Sequence, residues 1–432
     1  MTIRRQFIRY VSLNMLGMLG MSLYILADTF FIAKAVGANG ITALNLVLPL
    51  YNLIFAFGAM IGVGSAIRFA VERNHGIKEA EGYFFHALAW ATVLSLVFVF
   101  AGIFFPGKII HILGGDEQIV ATGILYTRIF LMFAPFFMWN HIVSAFVRND
   151  GDPSIAMFAT LGSNLFNIVF DYVLMFPFGL SMAGAALATA LSPIVSIFIC
   201  MKHFRSSRNT ILFKPVPLSI RKLFFSCQVG VSAFVGEISS GVITVAFNTI
   251  ILGLSGNVGV AAYGVVANFS LVAVALFNGI AQGSQPLISR FYGQGDKSSL
   301  KTVIGLALKT ALCVAAVLLV SVQIWSKPMA GIFNREQDME LASLAEQGLR
   351  IYFTGFLFAG INIVGANILS AVESVQWAFL SSMSRGFIAI LTCACLLSFL
   401  FGMNGVWLAF PCAELMTMLL TLTGIKSLTV DI

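Results

Sequence analysis

Acidic and amide side chains occur in stretches of this sequence that are otherwise apolar. In the run from about residue 153 to 177, Asn164, Asn167 and Asp171 are spaced i, i+3 and i+7, so they project from one helix face. The run is long enough to cross a bilayer. A carboxylate at bilayer depth costs about 2.5–3.5 kcal/mol on insertion scales and usually faces a water-filled cavity. This face therefore predicts a site for an ion or a cationic substrate.

Two further acidic residues lie inside apolar runs. Asp28 shares a helix face with Tyr24 at i−4 and Met21 at i−7, which predicts an inward-facing stripe of polar and thioether groups. Glu237 is followed on its own face by hydroxyl groups and, at i+11, by Asn248. The structural alternative for these acids is that they only pin helices together through hydrogen bonds. We favour a functional role because no intramembrane Lys or Arg stands ready as a salt-bridge partner in the first lobe, where Arg128 is expected near a helix end.

The composition requires a membrane-embedded helical protein. Of the 432 residues, 59% are hydrophobic and only 10% charged, and the mean hydropathy is +0.94. A soluble domain of this length would need more charged residues to cover its surface. The net charge of +7 comes from Lys and Arg in short loops between apolar runs, so it indicates topology and argues against nucleic-acid binding. The six cysteines, without any CxxC pair, are expected to be small buried hydrophobic residues.

The apolar runs, separated by Gly, Pro and charge clusters, predict an all-α integral membrane protein with twelve transmembrane helices. The predicted spans are 10–34, 41–70, 82–105, 119–147, 153–177, 181–203, 222–253, 258–290, 299–325, 341–371, 375–400 and 404–426. The longest polar interruption runs from Lys202 to Lys222. It predicts an N-terminal lobe of residues 1–205, a cytoplasmic linker of residues 206–221 and a C-terminal lobe of residues 222–432.

The distribution of Lys and Arg predicts the orientation. With the N-terminus inside, the cytoplasmic segments hold 17 basic residues and the opposite loops hold 4. The positive-inside rule then places both termini in the cytoplasm of a multi-pass plasma (inner) membrane protein. The basic residues Arg128, Lys309 and Arg385, which lie inside the spans, are expected to snorkel or to line the cavity near helix ends.

The two halves of the chain resemble each other. The segment from Met182 to Ala188 matches that from Met403 to Ala409 at four of seven positions, with an offset of 221. Gly64-Ser65 matches Gly283-Ser284 with an offset of 219, and Asp28-Thr29 falls against Asn248-Thr249 with an offset of 220. An offset of six helices keeps both repeats in the same orientation. The sequence therefore predicts two six-helix lobes, related by a pseudo-twofold axis, around a central cavity.

These residues carry a resemblance to a known family. The relevant segments are Asp28-Thr29 with Phe30-Phe31-Ile32, the turn from Phe146 to Asp152, the pair Asn167 and Asp171, and the segment from Met182 to Thr189. Over essentially its full length the chain resembles multidrug and toxic compound extrusion (MATE) transporters, and especially the bacterial drug-export branch. The resemblance implies export of bulky, often cationic compounds driven by inward H⁺ or Na⁺. It also implies an N-lobe cation site built from Asp28, Asn167, Asp171 and Thr189. From the polar helix faces described above, we expect the substrate cavity to be lined by Tyr24, Met21, Asn164, Glu237 and Asn248.

The sequence departs from the family pattern in two places. Some relatives place an acidic residue in the tenth helix, whereas residues 351–370 here contain only Asn362 and Asn367 as candidates. This absence argues against a second ion site built on Glu237. Some relatives also bend the first helix at a proline, and here such a bend would have to come from Gly17 or Gly20.

The predicted function is secondary active antiport of multiple drugs. The alternative within the same superfamily is a flippase for lipid-linked oligosaccharides, which would need a cationic cavity rather than acids at mid-depth. A major-facilitator transporter lacks support because its charged loop between helices 2 and 3 is missing, and a channel or scaffold has no use for the buried acids. No nucleotide-binding loop, metal-ligand cluster or catalytic Ser/His pair is present, so we expect no enzyme activity and no cofactor beyond the coupling ion. The expected partners are drug-like small molecules and the lipid bilayer, and the expected state is a monomer.

Overall fold

The computed structural model describes residues 2–73, 80–333 and 339–431, and within these ranges it is helical, without a β-strand. Two of the basic residues counted for the orientation, Lys78 and Arg335, lie outside the described residues. The α-helices, numbered here in chain order, are α1 Ile3–Val36, α2 Ala38–Glu72, α3 Tyr83–Phe104, α4 Pro106–Ile112, α5 Glu117–Met132, α6 Ala134–Asn149, α7 Pro153–Met175, α8 Ser181–Phe204, α9 Ile220–Gly293, α10 Lys297–Phe333, α11 Met339–Tyr352, α12 Phe356–Ala371, α13 Val375–Met383, α14 Ala389–Phe401 and α15 Met403–Asp431.

The helices account for the predicted membrane crossings. Ten helical segments in the described ranges are long and apolar enough to span a membrane, and the pair α5–α6, bent by 47°, supplies another. Helix α9 is 74 residues long and loses helical geometry at Ser255 and Gly256, so it supplies two crossings rather than one. The prediction of an all-α membrane fold with twelve spans is therefore confirmed, and the predicted division at residues 253–258 coincides with this break.

Several spans are less regular than the apolar periodicity predicts. The short helix α4 occupies what was expected to be a loop, and the fourth span bends just before Pro135, which disfavours helical geometry in the residue before it. The tenth span contains a 3₁₀ turn at Phe353–Gly355, and the eleventh contains a π turn at Ser384–Ile388. Such short changes of hydrogen-bond register leave no trace in the hydrophobic pattern, so sequence reading missed them.

The chain packs into two compact units. One unit comprises Leu16–Ile238, and the other comprises Met1–Met15 together with Ser239–Ile432. Phe130 and Phe146 are fully buried in the first unit, as are Phe277, Phe356 and Trp407 in the second. Packing thus divides α1 and α9 between the units. The predicted lobes, 1–205 and 222–432, were defined by membrane topology, and they stay a prediction.

Glycine permits close helix crossings inside each unit. In the first, a Cβ added to Gly64 of α2 would lie 1.9 Å from the carbonyl oxygen of Ser226 in α9. In the second, a Cβ on Gly279 or Gly283 would lie within 2.7 Å of the α1 backbone, at Met15 and Val11 respectively. Only a residue without a side chain allows such an approach. Gly64 and Gly283 are counterparts in the internal repeat, so both units use the same means of packing.

The polar segment between α8 and α9 is bound to the first unit. The buried carboxylate of Asp150 accepts hydrogen bonds from Arg73 Nη1 (2.6 Å) and from the backbone N–H of Thr210 (2.8 Å), and His203 Nε2 lies 2.8 Å from it. Lys214 forms a 2.9 Å ion pair with Glu81. The predicted linker is thus anchored to the ends of α2, α6 and α8 rather than solvated along its length.

Candidate cation site

The hairpin of α7 and α8 supplies the first half of the candidate site. The turn between Met175 and Ser181 makes the two helices antiparallel neighbours. A Cβ on Gly184 would lie 2.9 Å from the carbonyl carbon of Leu174, so the start of α8 approaches the end of α7 closely. This approach sets Thr189 opposite Asn167, 22 residues earlier in the chain.

Helix α1 supplies the second half, and its glycines make the approach possible. A Cβ on Gly20 would lie 2.5 Å from Leu161 Cδ2 and 3.5 Å from Asn164 Nδ2, so this glycine faces α7. About two turns further along α1, the carboxyl group of Asp28 reaches that of Asp171. Helix α1 runs without interruption from Ile3 to Val36. Gly20 therefore acts as a contact point with α7.

Four side chains meet at the centre of the site. The carboxyl groups of Asp28 and Asp171 lie within hydrogen-bonding reach of each other. Asn167 Nδ2 donates to Asp171 Oδ2 (3.0 Å), and Asn167 Oδ1 accepts from Thr189 Oγ1 (3.2 Å). The amide is assigned this way because the opposite orientation would set its oxygen against the carboxylate. Asp171 is 0% exposed and Asp28 8% exposed, so the cluster is buried.

One oxygen of each carboxyl group lacks a donor. Within the described ranges, Oδ1 of Asp28 and Oδ1 of Asp171 are buried and accept no hydrogen bond. Leaving such atoms unpaired in a low-dielectric interior is costly, and two ionised carboxylates in contact also repel each other. A proton or a small cation between them relieves both costs. Carboxylate, amide and hydroxyl oxygens are the donors that a hard monovalent cation prefers.

Three tyrosines surround the four central side chains. The hydroxyl groups of Tyr24 and Tyr51 are 3.2 Å apart, and Tyr126 hydrogen-bonds to Thr189. Tyr51 stacks on Phe130 with ring centroids 4.7 Å apart, which holds its ring in place. Tyr24 was predicted from its spacing to Asp28, whereas Tyr51 and Tyr126 were missed. In the sequence, these two residues are recognisable only as tyrosines inside apolar spans. That pattern does not show which helices are neighbours in the fold.

Of the remaining predicted cavity residues, three belong to the same compact unit as the four central side chains, and one belongs to the other unit. Asn164 is 8% exposed on the same face of α7, and Met21 is half-buried on α1. Glu237 is half-buried and belongs to the unit Leu16–Ile238, like the cluster. Asn248 is also half-buried but belongs to the other compact unit.

A second buried charge cluster lies in the other unit, and sequence reasoning missed it. Arg385 Nε donates to Glu414 Oε1 (2.8 Å), and Asn362 Nδ2 donates to Glu414 Oε2 (2.7 Å). Arg385 was expected to snorkel or to line the cavity near a helix end, and in the structure its half-buried side chain is paired with Glu414. Glu414 was not identified as a candidate, although an acidic residue in the last apolar span was the available signal.

Comparison with known proteins places the chain in a family. The MatE family model matches residues 14–173 and again residues 233–394. The chain belongs to the MatE family. The two matched segments begin 219 residues apart and end 221 residues apart, in agreement with the offsets of the internal repeat. The resemblance to MATE transporters is thereby confirmed, and the chain is a multi-pass membrane protein of a transporter family, not an enzyme.

Among curated proteins, this MatE family chain is similar to multidrug export proteins named MepA. The MepA proteins of Staphylococcus saprophyticus and Staphylococcus aureus are each 26% identical to it over 429 residues. In both comparisons the alignment covers 96% of this chain and 93% of the relative. The likeness therefore extends over both units and is not confined to one repeat.

Solved structures confirm the fold of this MatE family chain. A multidrug resistance MATE transporter of the MOP superfamily, solved in an outward-facing conformation, superposes with a TM-score of 0.89 at 20% identity. That comparison covers 100% of this chain and 97% of the other. A MOP superfamily transporter from Pyrococcus furiosus, described as having a binding pocket of reversed polarity, gives a TM-score of 0.87 at 20% identity. It covers 98% of this chain and 94% of that one.

Proposed function

We propose that this protein is a secondary active antiporter that exports drug-like organic compounds in exchange for inward H⁺ or Na⁺. The observation that carries the proposal is the buried pair of Asp28 and Asp171, each with an oxygen that no described residue satisfies. The two MepA relatives, named as multidrug export proteins, support the substrate class. From the distribution of basic residues, we also propose that both termini lie in the cytoplasm of a protein of the plasma membrane.

The coupling mechanism follows from the charge of the pair. Without a bound ion, ionised carboxylates on α1 and α7 repel each other, and this weakens the packing of α1 on α7. A proton or Na⁺ removes the repulsion and stabilises the arrangement in which Asp28, Asn167, Asp171 and Thr189 are in contact. The ion thus binds one conformation better than another, which is the differential affinity that switching requires.

The substrate class follows from the surrounding side chains. Acidic residues within the membrane attract cationic groups, and Glu237 is the acid outside the coupling cluster that we assign to substrate attraction. The chain also has 41 Phe and 17 Met, which suit an adaptable apolar cavity for bulky ligands. A flippase for lipid-linked oligosaccharides must hold a pyrophosphate group, and an acidic pair does not favour such an anion.

Transport by the purified protein in lipid vesicles tests this proposal. Vesicles are loaded so that a Na⁺ gradient, a pH gradient or neither is present, and movement of a fluorescent organic cation is followed. We expect uphill transport with at least one of the two gradients and none when both are absent. Transport that requires ATP, or that proceeds equally well without any gradient, would show that the protein is not an ion-coupled antiporter.

A further inference from the structure

The second unit contains a charge cluster that the proposed function does not use. Glu414 of α15 is 2% exposed and accepts hydrogen bonds from Arg385 and from Asn362, which is itself 0% exposed. Arg385 lies in the π turn Ser384–Ile388, between α13 and α14. A π turn adds one residue to a helical turn, and such turns are frequent at functional sites. Here the irregular turn carries the guanidinium group that reaches α15.

The helices packed against α15 carry few charged side chains besides Arg385. Among the elements packed against α15, helices α12, α13 and α14 carry no Asp, Glu, Lys or Arg in their described residues. Helix α11 carries Glu340, Glu346 and Arg350, of which the last two pair with each other at 2.9 Å. The other titratable groups of this region include the phenol of Tyr352, the thiol of Cys393, which contacts Met416, and Cys412 and Lys426 of α15 itself. Arg385 is thus the one cation among these elements that neutralises Glu414.

The internal repeat identifies the residues of the second unit that are equivalent to the ion-site candidates of the first unit. With the offset of 221, Asn167 corresponds to Ile388, Asp171 to Thr392 and Thr189 to Phe410, so the carboxylate pair has no counterpart. With the same offset, Arg385 corresponds to Asn164, a member of the polar face of α7. The equivalent helix of the second unit therefore carries a guanidinium group and lacks the carboxylate that α7 contributes to the proposed ion site.

We propose that Arg385 is a permanently attached counter-ion for Glu414, and that the second unit consequently binds no exchangeable coupling ion. The proposal rests on the antiport function, because it confines coupling to the cluster of Asp28 and Asp171. An arginine side chain stays charged at every physiological pH and cannot leave the protein. It therefore neutralises Glu414 in every conformation, whereas a mobile ion neutralises its site in some conformations only. Asn362 supports the pair by donating to the second carboxylate oxygen and to the backbone oxygen of the same residue (2.8 Å).

Removal of the tethered charge should create an ion dependence that the native unit lacks. In Arg385→Met, Glu414 is a buried carboxylate without a counter-ion, so it must take up a proton or a cation from solution. We expect the thermal midpoint of the purified variant to fall below that of the wild type at about pH 8.5, and to recover at about pH 5.5 or with added Na⁺. The double variant Arg385→Met with Glu414→Gln carries neither charge and should show no such recovery. A loss that is the same at both pH values, with and without Na⁺, would make Arg385 a packing residue and would overturn the proposal.

Transport separates this proposal from that of the coupling site. The double variant should export a fluorescent cation with the same dependence on Na⁺ and pH gradients as the wild type, because coupling is confined to the first unit. A double variant that folds but has lost gradient-driven transport would show that Glu414 belongs to the coupling path, and would overturn the proposal. Arg385→Lys keeps a positive charge attached to the protein, and it is the variant to test if the neutral variants misfold. It should show no new Na⁺ dependence at about pH 8.5, and a gain would count against a tethered counter-ion.

Discussion

At the residue scale, the two aspartates of the cluster have different surroundings. Asp171 is fully buried and receives a hydrogen bond from Asn167, whereas Asp28 is slightly exposed and contacts the cluster mainly through Asp171. Asp171 is thus fixed within the α7–α8 hairpin, and Asp28 is the group that α1 brings to it. Under the proposed function, a coupling ion would therefore bridge a fixed group and one carried by a separate helix.

Neutral amide variants of these aspartates should abolish gradient-driven export. Asp28→Asn and Asp171→Asn retain the shape of the side chain but remove the charge that a coupling ion must neutralise. Folding should be preserved, since removal of a buried charge reduces the cost of inserting the helix into the membrane. The measurement is uptake of a fluorescent cation into vesicles under imposed Na⁺ or pH gradients. Asp116→Asn is the matched control, because Asp116 is an exposed N-cap of α5 and asparagine caps equally well.

A variant that transports at the wild-type rate and with the wild-type ion dependence would assign a structural role to the aspartate concerned. A variant that has lost both transport and thermal stability would likewise indicate that the aspartate has a structural role.

Glu237 should affect cationic substrates selectively. Glu237→Gln preserves the volume and hydrogen-bonding ability of the side chain but removes its charge, so binding of organic cations should weaken more than binding of neutral drugs. Fluorescence binding titrations with one cationic and one neutral compound on the same preparation measure the difference. Equal losses for the two compounds would contradict the assignment of Glu237 to cation attraction.

The limits of sequence reasoning at this scale follow from helix periodicity. The spacing of Asn164, Asn167 and Asp171 predicts one polar face, because that spacing is a property of a single helix. Periodicity cannot tell which helices are neighbours, so Tyr51 and Tyr126 were not predicted. For the same reason the pairing of Arg385 with Glu414, on different spans, could not be predicted from either span alone.

At the element scale, the close crossings depend on residues that lack side chains. Gly64 and Gly230 face each other's helix where α2 meets the first part of α9, and a Cβ on Gly230 would lie 2.0 Å from the carbonyl oxygen of Met60. A contact between a Cβ atom and a carbonyl oxygen at this distance cannot be relieved by a change of side-chain rotamer. The helices themselves would have to separate, and the buried surface between them would be lost.

Gly64→Ala should destabilise the protein although alanine is the better helix former. The new methyl group would lie 1.9 Å from Ser226 O, and overpacking of this kind costs about 1–3 kcal/mol. At Gly236 of α9, a Cβ would meet no atom within 4 Å, so Gly236→Ala should be neutral or stabilising by about 0.5–1 kcal/mol. Thermal midpoints of both variants in detergent measure the contrast. A midpoint for Gly64→Ala at or above the wild-type value would show that the crossing is not tight.

Sequence patterns predicted the spans well because the bilayer sets their length and the apolar runs are long. The predicted fifth and sixth spans, 153–177 and 181–203, agree with α7 and α8 to within two residues at each end. The break in α9 was also predicted, because Ser255-Gly256 interrupts an apolar run. Helix α4 and the π turn could not be predicted, because they depend on local packing rather than on hydrophobicity.

At the scale of the whole molecule, the repeat is supported by three independent offsets and by a family model that matches the chain twice. The glycine crossings show that the repeat preserves packing as well as sequence, since Gly64 and Gly283 have the same function in different units. The side chains of the proposed ion site are not preserved between repeats. The two halves have thus retained a common framework and diverged in charge.

The orientation of the chain in the membrane can be tested by cysteine labelling. In a variant without the six native cysteines, Lys108→Cys should react with a membrane-impermeant maleimide in intact cells, whereas Arg208→Cys should react only after the cells are opened. Both positions are exposed in the structure. The reverse pattern would show that the chain is inserted with the opposite orientation, and equal labelling in intact cells would show that the assay does not report sidedness for this chain.

The division of α1 between the two units has a consequence for synthesis at the ribosome. Val11 and Met15 leave the ribosome long before the glycines against which they pack, Gly283 and Gly279, which follow more than 260 residues later. At a translation rate of about 5–20 residues per second, this N-terminal segment waits on the order of 10–50 s for its packing partners. During that interval it lies in the membrane without its native neighbours. Nascent chains that stop at Ile238 should therefore expose this segment to membrane proteases and insertion chaperones, and chains that extend past Gly283 should protect it.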